Sequence, residues 1–211
     1  KGRRGSHRYM DARSGVIVAG GRSVRMGGTE KTVVDVAGTP LIRRVADRLY
    51  AATDQLVVNC REDQRDPIAA ALEGLDPRFA VDEVPDRGPV AGIGTGLEAA
   101  ETEYSAVVAA DMPFLDPEVL SYLFERAAGH EAAVPRPSEW FEPLHAVYKT
   151  APSVAACERA LEAEDPRIIE PLSTLDRVVV DREDLLAHGS LDSFESVDTP
   201  DDVEWAASRL G

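Results

Sequence analysis

Lysine is the scarcest charged residue in this chain of 211 residues, and it occurs only at Lys1, Lys31 and Lys149. Arginine supplies almost all of the positive charge. The 38 acidic residues outnumber the 23 basic ones, which gives a formal net charge of −15. A protein this acidic repels the phosphates of nucleic acids and anionic membrane surfaces. We therefore expect neither a nucleic acid nor a membrane as a partner.

The chain is also poor in cysteine and has no long apolar run. Cys60 and Cys157 form no C-x-x-C pair and have no histidine nearby, so their spacing excludes a structural zinc site and a redox motif. We expect two free thiols in a reducing cytoplasm. No apolar stretch approaches the roughly 18 to 20 residues of a transmembrane helix. Residues 1–9 are basic and lack the apolar core of a secretory signal, so we interpret them as a leader or tag, with Met10 as a candidate start.

Without the leader, residues 10–211 carry 19 basic against 38 acidic residues, a net charge of −19. Molar salt screens charges beyond about 3 Å, so an acid-rich and lysine-poor surface suits a cytoplasm of high salt concentration. Adaptation to high salt is one hypothesis. An acidic protein from an ordinary cytoplasm is the alternative.

Short β-branched runs alternate with amphipathic stretches along the chain. The predicted strands are 15–19, 55–59, 79–82, 105–110, 132–135, 145–148, 177–180 and 194–197. The predicted helices are 40–52, capped by Thr39, then 66–74 and 91–100, and two more that begin at Asp116 and Thr199. This order favours an α/β fold: a Rossmann-like, three-layer domain over 10–211 with a mainly parallel sheet and helices on both faces.

Unusual residues follow several of the predicted strands. Gly20, Asn59, Asp82 and Asp111 each lie at or just after the carboxyl end of a strand. Open α/β sheets bind their ligands at this edge. The four residues are therefore candidates for one binding site.

The loop after the first strand, residues 19–31, combines glycines with Arg22, Arg25 and Lys31. Glycines let backbone N–H groups approach phosphate oxygens, and the cations add charge and donors. The loop has neither the G-x-G-x-x-G fingerprint nor the Walker A lysine. Phosphate binding is favoured over a plain β-to-α turn. Lys31 strengthens the prediction of phosphate binding, because arginine fills nearly every other basic position.

Five segments resemble the signature of the nucleotidyltransferases that include the molybdenum cofactor guanylyltransferases, the MobA family. In order, they are 16–27 (Val-Ile-Val-Ala-Gly-Gly-Arg-Ser-x-Arg-Met-Gly) with Lys31, then 38–42, 88–93, 111–115 and 142–148. The first segment is shared by sugar, isoprenoid and cofactor nucleotidyltransferases. The segments at 111–115 and 142–148 together narrow the resemblance towards the molybdenum branch.

The resemblance implies transfer of GMP from GTP to the phosphate of Mo-molybdopterin, with release of pyrophosphate. It implies Mg²⁺ as cofactor, a nucleotide-binding half at 10–115, an acceptor-binding half at 116–211, and transient contact with molybdoenzymes or other proteins of cofactor synthesis. The implied catalytic residues are Arg25, Lys31 and Asp111, with Asp111 as metal ligand. The implied nucleotide-binding residues are Val18, Ala19, Gly20, Gly21, Arg25, Lys31, Asn59, Asp82, Gly88 and Asp111.

Several roles stay open at this point. The family usually shows Asn-x-Asn-Thr-Pro where this chain has Ser-Val-Asp-Thr-Pro at 196–200, so Asp198 is either a second metal ligand or a cap of the last helix. Asp82 faces either guanine or a ribose hydroxyl. An anionic phosphate nucleophile needs no general base, so His145 is an acceptor-site or core residue. Asp111, from its local sequence alone, also fits a turn cap.

Alternative functions remain as well. A sister enzyme is one: a molybdopterin cytidylyltransferase, or a guanylyltransferase for adenosylcobinamide phosphate or phospholactate. A non-catalytic nucleotide-binding protein is another, but such a protein has no need of the metal carboxylate.

The charge predicts a response to salt. Because salt screens the repulsion within a body of net charge −19, we expect the melting temperature to rise steeply between low and molar KCl. A thermal melt across a KCl series measures this. A flat profile would remove the high-salt hypothesis and leave the enzyme hypothesis as it is.

Overall fold

The structure is a computed structural model that describes residues 12–21, 30–84 and 86–211. The leader at 1–9 and the predicted catalytic Arg25 lie outside the described residues. Within the described ranges, no helix is long and apolar enough to cross a membrane.

The described residues form strands and helices in alternation. The strands are β1 (Arg13–Val18), β2 (Asp35–Val36), β3 (Thr39–Pro40), β4 (Gln55–Cys60), β5 (Arg78–Val81), β6 (Tyr104–Ala109), β7 (Ala132–Arg136), β8 (His145–Lys149) and β9 (Arg177–Asp181). The helices are α1 (Leu41–Tyr50), α2 (Glu62–Ala71), α3 (Pro89–Glu98), α4 (Pro117–Ala127), α5 (Thr150–Ala160), α6 (Glu170–Thr174), α7 (Arg182–His188) and α8 (Pro200–Leu210).

Seven of these strands form one sheet in the order β5-β4-β1-β6-β8-β7-β9. Every neighbouring pair is parallel except the two that involve β8. In the register, Val18 at the end of β1 lies beside Asn59 of β4 and Ala109 of β6. The carboxyl ends of the central strands therefore meet at one edge. The mainly parallel sheet that the sequence predicts is confirmed.

Helices cover both faces of the sheet, and β1 shows why. Val16 and Ile17 are consecutive residues of β1, and both are fully buried. They belong to different apolar clusters on opposite faces of the sheet. One cluster holds side chains of α1, α2, α4 and α7, and the other holds side chains of α3, α5 and α6. A strand that is buried on both faces reads as a continuous apolar run, as the last three residues of β1 do. The three-layer arrangement is confirmed.

A small third cluster joins the C-terminus to the two-stranded hairpin of β2 and β3. It consists of Val36, Leu41, Val197 and Ala206. The burial of these side chains packs α8 and the segment before it against β2 and the start of α1. Residues from opposite ends of the sequence therefore meet beside the central strands.

Three local predictions are wrong. Residues 194–197 do not form a strand, because a 3₁₀ turn at Leu191–Phe194 is followed by an irregular segment. Thr39 does not cap α1, because it pairs with Val36 in the hairpin and the helix begins at Leu41. The second helix begins at Glu62 rather than at 66, because Arg61 and Gln64 form its N-terminal capping interaction.

The second half holds helices that the sequence did not signal, above all α5. Its first residues are Thr-Ala-Pro-Ser, and it has no side-chain cap. It packs closely against α3. A Cβ atom added at Gly94 of α3 would lie only 3.2 Å from Cβ of Cys157. Tertiary packing, rather than local propensity, holds this helix. The division into a half at 10–115 and a half at 116–211 stays a prediction.

His145 is a core residue of β8. Its side chain is fully buried, its ring centroid lies 4.3 Å from that of Phe194, and its Nε2 lies 3.3 Å from Oγ of Ser193. Burial lowers the pKa of His145 to about 3. Of the two roles that the sequence left open, the core role is the one that the structure supports.

Candidate active site

A cavity of about 510 Å³ opens at the carboxyl edge of the central strands. Its volume lies within the usual range of ligand pockets, about 300 to 1,000 Å³. It is lined by every predicted site residue that the structure describes: Val18, Ala19, Gly20, Gly21, Lys31, Asn59, Asp82, Gly88, Asp111 and Asp198. The residues that the sequence predicts for one site therefore line one cavity, although the roles of the individual residues stay predictions.

One part of the cavity is organised by Asn59 and Asp82. The amide Nδ2 of Asn59 donates to the carbonyl of Ala80 at 3.1 Å and to Oδ1 of Asp82 at 2.7 Å. Asn59 is fully buried, and a Cβ at Gly92 would lie 2.5 Å from its Oδ1. A Cβ at Gly20 would similarly lie 2.7 Å from Oδ2 of Asp82. The Asp82 carboxylate is thus held in one orientation, close to the glycine-rich loop.

The N-terminus of α3 forms another wall. Gly88 occupies the cap position with φ of +81°, a left-handed conformation that favours glycine. Pro89 and Ala91 of the first turn line the cavity. The free N–H groups and the dipole at a helix N-terminus favour bound anions. This wall suits a phosphate or another electron-rich group.

The charged centre of the cavity is a lysine between two aspartates. Nζ of Lys31 lies 2.7 Å from Oδ2 of Asp111 and 2.7 Å from Oδ1 of Asp198. Burial alone would lower the pKa of Lys31, but the charges and hydrogen bonds of Asp111 and Asp198 outweigh it and raise the pKa. The ammonium group therefore stays charged.

The backbone around Asp198 explains how it reaches this centre. The N–H of Val197 donates to the carbonyl of Asp111 at 2.9 Å. The cap of α8 is Thr199, which exchanges hydrogen bonds with Asp202 in a capping box. Asp198 is therefore not the helix cap, and its side chain is directed to Lys31 instead. Of the two roles that the sequence leaves open for Asp198, the structure excludes the helix cap. The role of metal ligand stays a prediction.

The chemistry of the two carboxylates fits a divalent cation such as Mg²⁺. Oδ1 of Asp111 is buried and has no hydrogen-bond partner within the described ranges. Among the same residues, no group of three or more His, Cys, Asp or Glu side chains is placed to hold a metal. Mg²⁺ usually takes one or two carboxylates and completes its shell with substrate phosphates and water. Asp111 and Asp198 match that donor set.

Sequence reasoning missed several residues that shape the cavity. Thr32 and Leu144 line it. Arg61, at the N-cap of α2, and Gln64, in its first turn, hold the backbone of the glycine-rich loop from outside. An arginine and a glutamine in a polar helix look like ordinary surface residues in a single sequence. Only the register of β4 beside β1 brings them to the loop.

Comparison with known proteins assigns the chain to a family. Residues 15–178 match the MobA-like NTP transferase domain. The chain belongs to the MobA-like NTP transferases. The match covers β1 to the start of β9, and so includes most of the cavity.

Relatives of this MobA-like chain match nearly its whole length. A protein of Natronomonas pharaonis, named "Probable molybdenum cofactor guanylyltransferase", is 69% identical, with 95% of this chain and 100% of the relative covered. A protein of Haloferax mediterranei with the same name is 42% identical, with coverage of 97% and 98%. The crystal structure of molybdopterin-guanine dinucleotide biosynthesis protein A from Archaeoglobus fulgidus is similar with a TM-score of 0.77 and 30% identity, covering 94% of this chain and 98% of that one.

The geometry of Lys31 predicts that an arginine cannot replace it. The compact ammonium group meets both Asp111 and Asp198 at 2.7 Å while the side chain is only 13% exposed, and a planar guanidinium group is too wide for this place. We expect Lys31→Arg to lose most nucleotidyl transfer although the net charge is unchanged, and Lys31→Ala to lose little more. Steady-state rates of the purified variants measure this.

Lys149 provides the matched control. It is the other lysine of the described residues, lies 3.2 Å from a single carboxylate, Glu103, and does not line the cavity. Lys149→Arg should keep wild-type turnover and should stay within about 0.5 kcal/mol of wild-type stability. Wild-type turnover in Lys31→Arg would show that the position needs only a positive charge.

Proposed function

We propose that this protein transfers GMP from GTP to the phosphate of Mo-molybdopterin and releases pyrophosphate. The observation that carries the proposal is the Lys31–Asp111–Asp198 centre inside a cavity of nucleotide size. The names of the relatives at 69% and 42% identity support the same reaction.

The preference for guanine rests on Asp82. An ionised carboxylate only accepts hydrogen bonds. The Watson–Crick edge of guanine offers two adjacent donors, N1–H and the 2-amino group, whereas that edge of cytosine offers N3 and O2 as acceptors beside a single amino donor. Because Asn59 fixes the carboxylate at 2.7 Å, Asp82 is oriented before the base arrives. A fixed acceptor pair of this kind selects guanine.

The transfer itself needs charge and position rather than a proton acceptor. A phosphate oxygen of the acceptor attacks the α-phosphorus of GTP and forms a new P–O bond. The bond from that phosphorus to the bridging oxygen breaks, and pyrophosphate leaves with the electron pair. Lys31 neutralises charge on the phosphates and holds them in place. No histidine is required, and the buried His145, whose pKa is about 3, takes no part.

Asp111 and Asp198 are the residues that would hold Mg²⁺. A bound Mg²⁺ would act as a Lewis acid and would reduce the negative charge of the reacting phosphate groups. Asp111 contributes the buried Oδ1, which lacks a hydrogen-bond partner among the described residues, and Asp198 contributes an oxygen that now faces Lys31.

Three further points belong to the proposal. The enzyme works in the cytoplasm, at high salt if the melting profile rises as expected. Transient contact with molybdoenzymes or other cofactor-synthesis proteins would deliver the acceptor or receive the product. Arg25 would add a second positive charge near the phosphates.

The direct test supplies all the substrates. The purified protein with GTP, Mg²⁺ and molybdopterin should release pyrophosphate, and CTP in place of GTP should give much less. Greater release with CTP would move the protein to the cytidylyltransferases. Binding of GTP without pyrophosphate release would indicate a nucleotide-binding protein without this activity.

A substitution of Asp82 separates contact with the base from contact with the ribose. Loss of hydrogen bonds to a charged partner weakens binding by about 1.5 to 3 kcal/mol, or about tenfold to a hundredfold. We expect Asp82→Asn to weaken GTP by this amount and to change CTP by less than about twofold. Calorimetry with each nucleotide and Mg²⁺ measures both affinities.

The control for this experiment is Asp76→Asn, which removes an exposed carboxylate from the loop before β5. It should change neither affinity. Equal losses for GTP and CTP in Asp82→Asn would assign the carboxylate to the ribose, which both nucleotides share.

A further inference from the structure

Three consecutive carbonyl groups of the glycine-rich loop are held by two side chains at the N-terminus of α2. Nε2 of Gln64 donates to the carbonyl of Ala19 at 2.9 Å. Nη1 of Arg61 donates to the carbonyls of Gly20 at 3.0 Å and of Gly21 at 2.8 Å. Two side chains thus fix three successive peptide groups directly after β1.

These bonds also fix the N–H groups of the loop. In a trans peptide the N–H points away from the C=O of the same unit. When the carbonyls of Ala19 and Gly20 turn towards α2, the N–H groups of Gly20 and Gly21 turn to the opposite side. Both glycines line the cavity. Successive N–H groups on one side of a turn form a concave site for anions.

Arg61 and Gln64 act from outside the cavity. Neither side chain is among those that line it, and Gln64 is almost fully buried. The Arg61 guanidinium also binds both carboxylate oxygens of Asp63, at 3.0 and 2.9 Å. Much of its charge is therefore balanced locally. Its influence on a bound phosphate passes through the loop backbone.

The same arginine connects the loop to the segment that carries Lys31. Nη2 of Arg61 lies 3.6 Å from Oε2 of Glu30, the residue directly before Lys31. Oε1 of Glu30 in turn accepts from Oγ1 of Thr32 at 3.0 Å. One guanidinium group therefore links the backbone of the glycine-rich loop to the segment that carries Lys31.

We propose that Arg61 and Gln64 are positioning residues that prepare the Gly20–Gly21 backbone to bind the triphosphate of the nucleotide. The inference rests on the proposed function for the identity of that nucleotide. Because these contacts reach the backbone of Gly20 and Gly21 and the segment before Lys31, rather than Asp82, the loss of either side chain should weaken the binding of phosphates and spare the binding of the base.

Calorimetry on Arg61→Met and Gln64→Met tests this, with GTP, inorganic tripolyphosphate and guanosine as ligands and with Mg²⁺ present. We expect at least about tenfold weaker binding of GTP and tripolyphosphate, and less than about twofold change for guanosine. Arg61→Lys, whose ammonium group can reach fewer acceptors than the guanidinium fork, should give a smaller loss with the same selectivity.

Arg78→Met is the matched control. Arg78 also binds a backbone carbonyl, that of Ala99 at 3.2 Å, and a carboxylate, Glu101 at 2.6 Å, but it does not line the cavity. It should leave all three affinities unchanged. Because Arg61→Met removes buried contacts, a melting curve accompanies each variant, and Arg61→Lys carries the test if Arg61→Met does not fold.

Two results would overturn the inference: equal losses for guanosine and GTP, which would show general support of the fold, or unchanged binding of tripolyphosphate and GTP in a folded Arg61 variant. Failure of the proposed function is a separate outcome. If the wild-type protein binds nucleotide but transfers no GMP, and the Arg61 variants still lose triphosphate binding alone, then the positioning role stands and only the reaction is wrong.

Discussion

The contact of one ammonium group with two carboxylates is the interaction on which the site depends. Lys31, Asp111 and Asp198 come from three distant parts of the chain and meet at 2.7 Å. In a protein of net charge −15, two such carboxylates in a partly buried cavity repel each other unless a cation lies between them. The lysine supplies that cation within the protein itself. The end of β6, the segment before α8 and the residues after the glycine-rich loop are therefore held in one arrangement.

The sequence predicted those features that follow from local chemistry. An apolar run that ends in glycines, such as the one at the end of β1, indicates a buried strand and a loop able to approach phosphates, and Asp111 after a run of alanine and valine marks another strand end. Parallel strands then place both at the same edge. For this reason the position of the cavity can be predicted from the sequence alone.

What the sequence could not predict depends on contacts between distant residues. From the sequence, Asp198 fits a helix cap and a site residue equally well, because a carboxylate before Thr-Pro is typical of both. The capping box between Thr199 and Asp202, together with the bond from Val197 to the backbone of Asp111, releases its side chain for Lys31. Arg61 had no local signal, since its partners lie 40 residues earlier. The prediction of a strand at 194–197 is wrong for the same reason. The N–H of Val197 donates to the carbonyl of Asp111 rather than to a neighbouring strand.

The site divides its work between side chains that touch the ligand and side chains that hold them. Asn59 orients the carboxylate of Asp82, the Asp111–Asp198 pair holds the ammonium group of Lys31, and Arg61 with Gln64 fixes the loop carbonyls. Groups that are oriented before substrate binds lose little further freedom when it arrives, so more of the binding energy remains for the transition state. In so acidic a protein, this orientation matters more than added positive charge, because extra cations would mainly pair with the surrounding carboxylates.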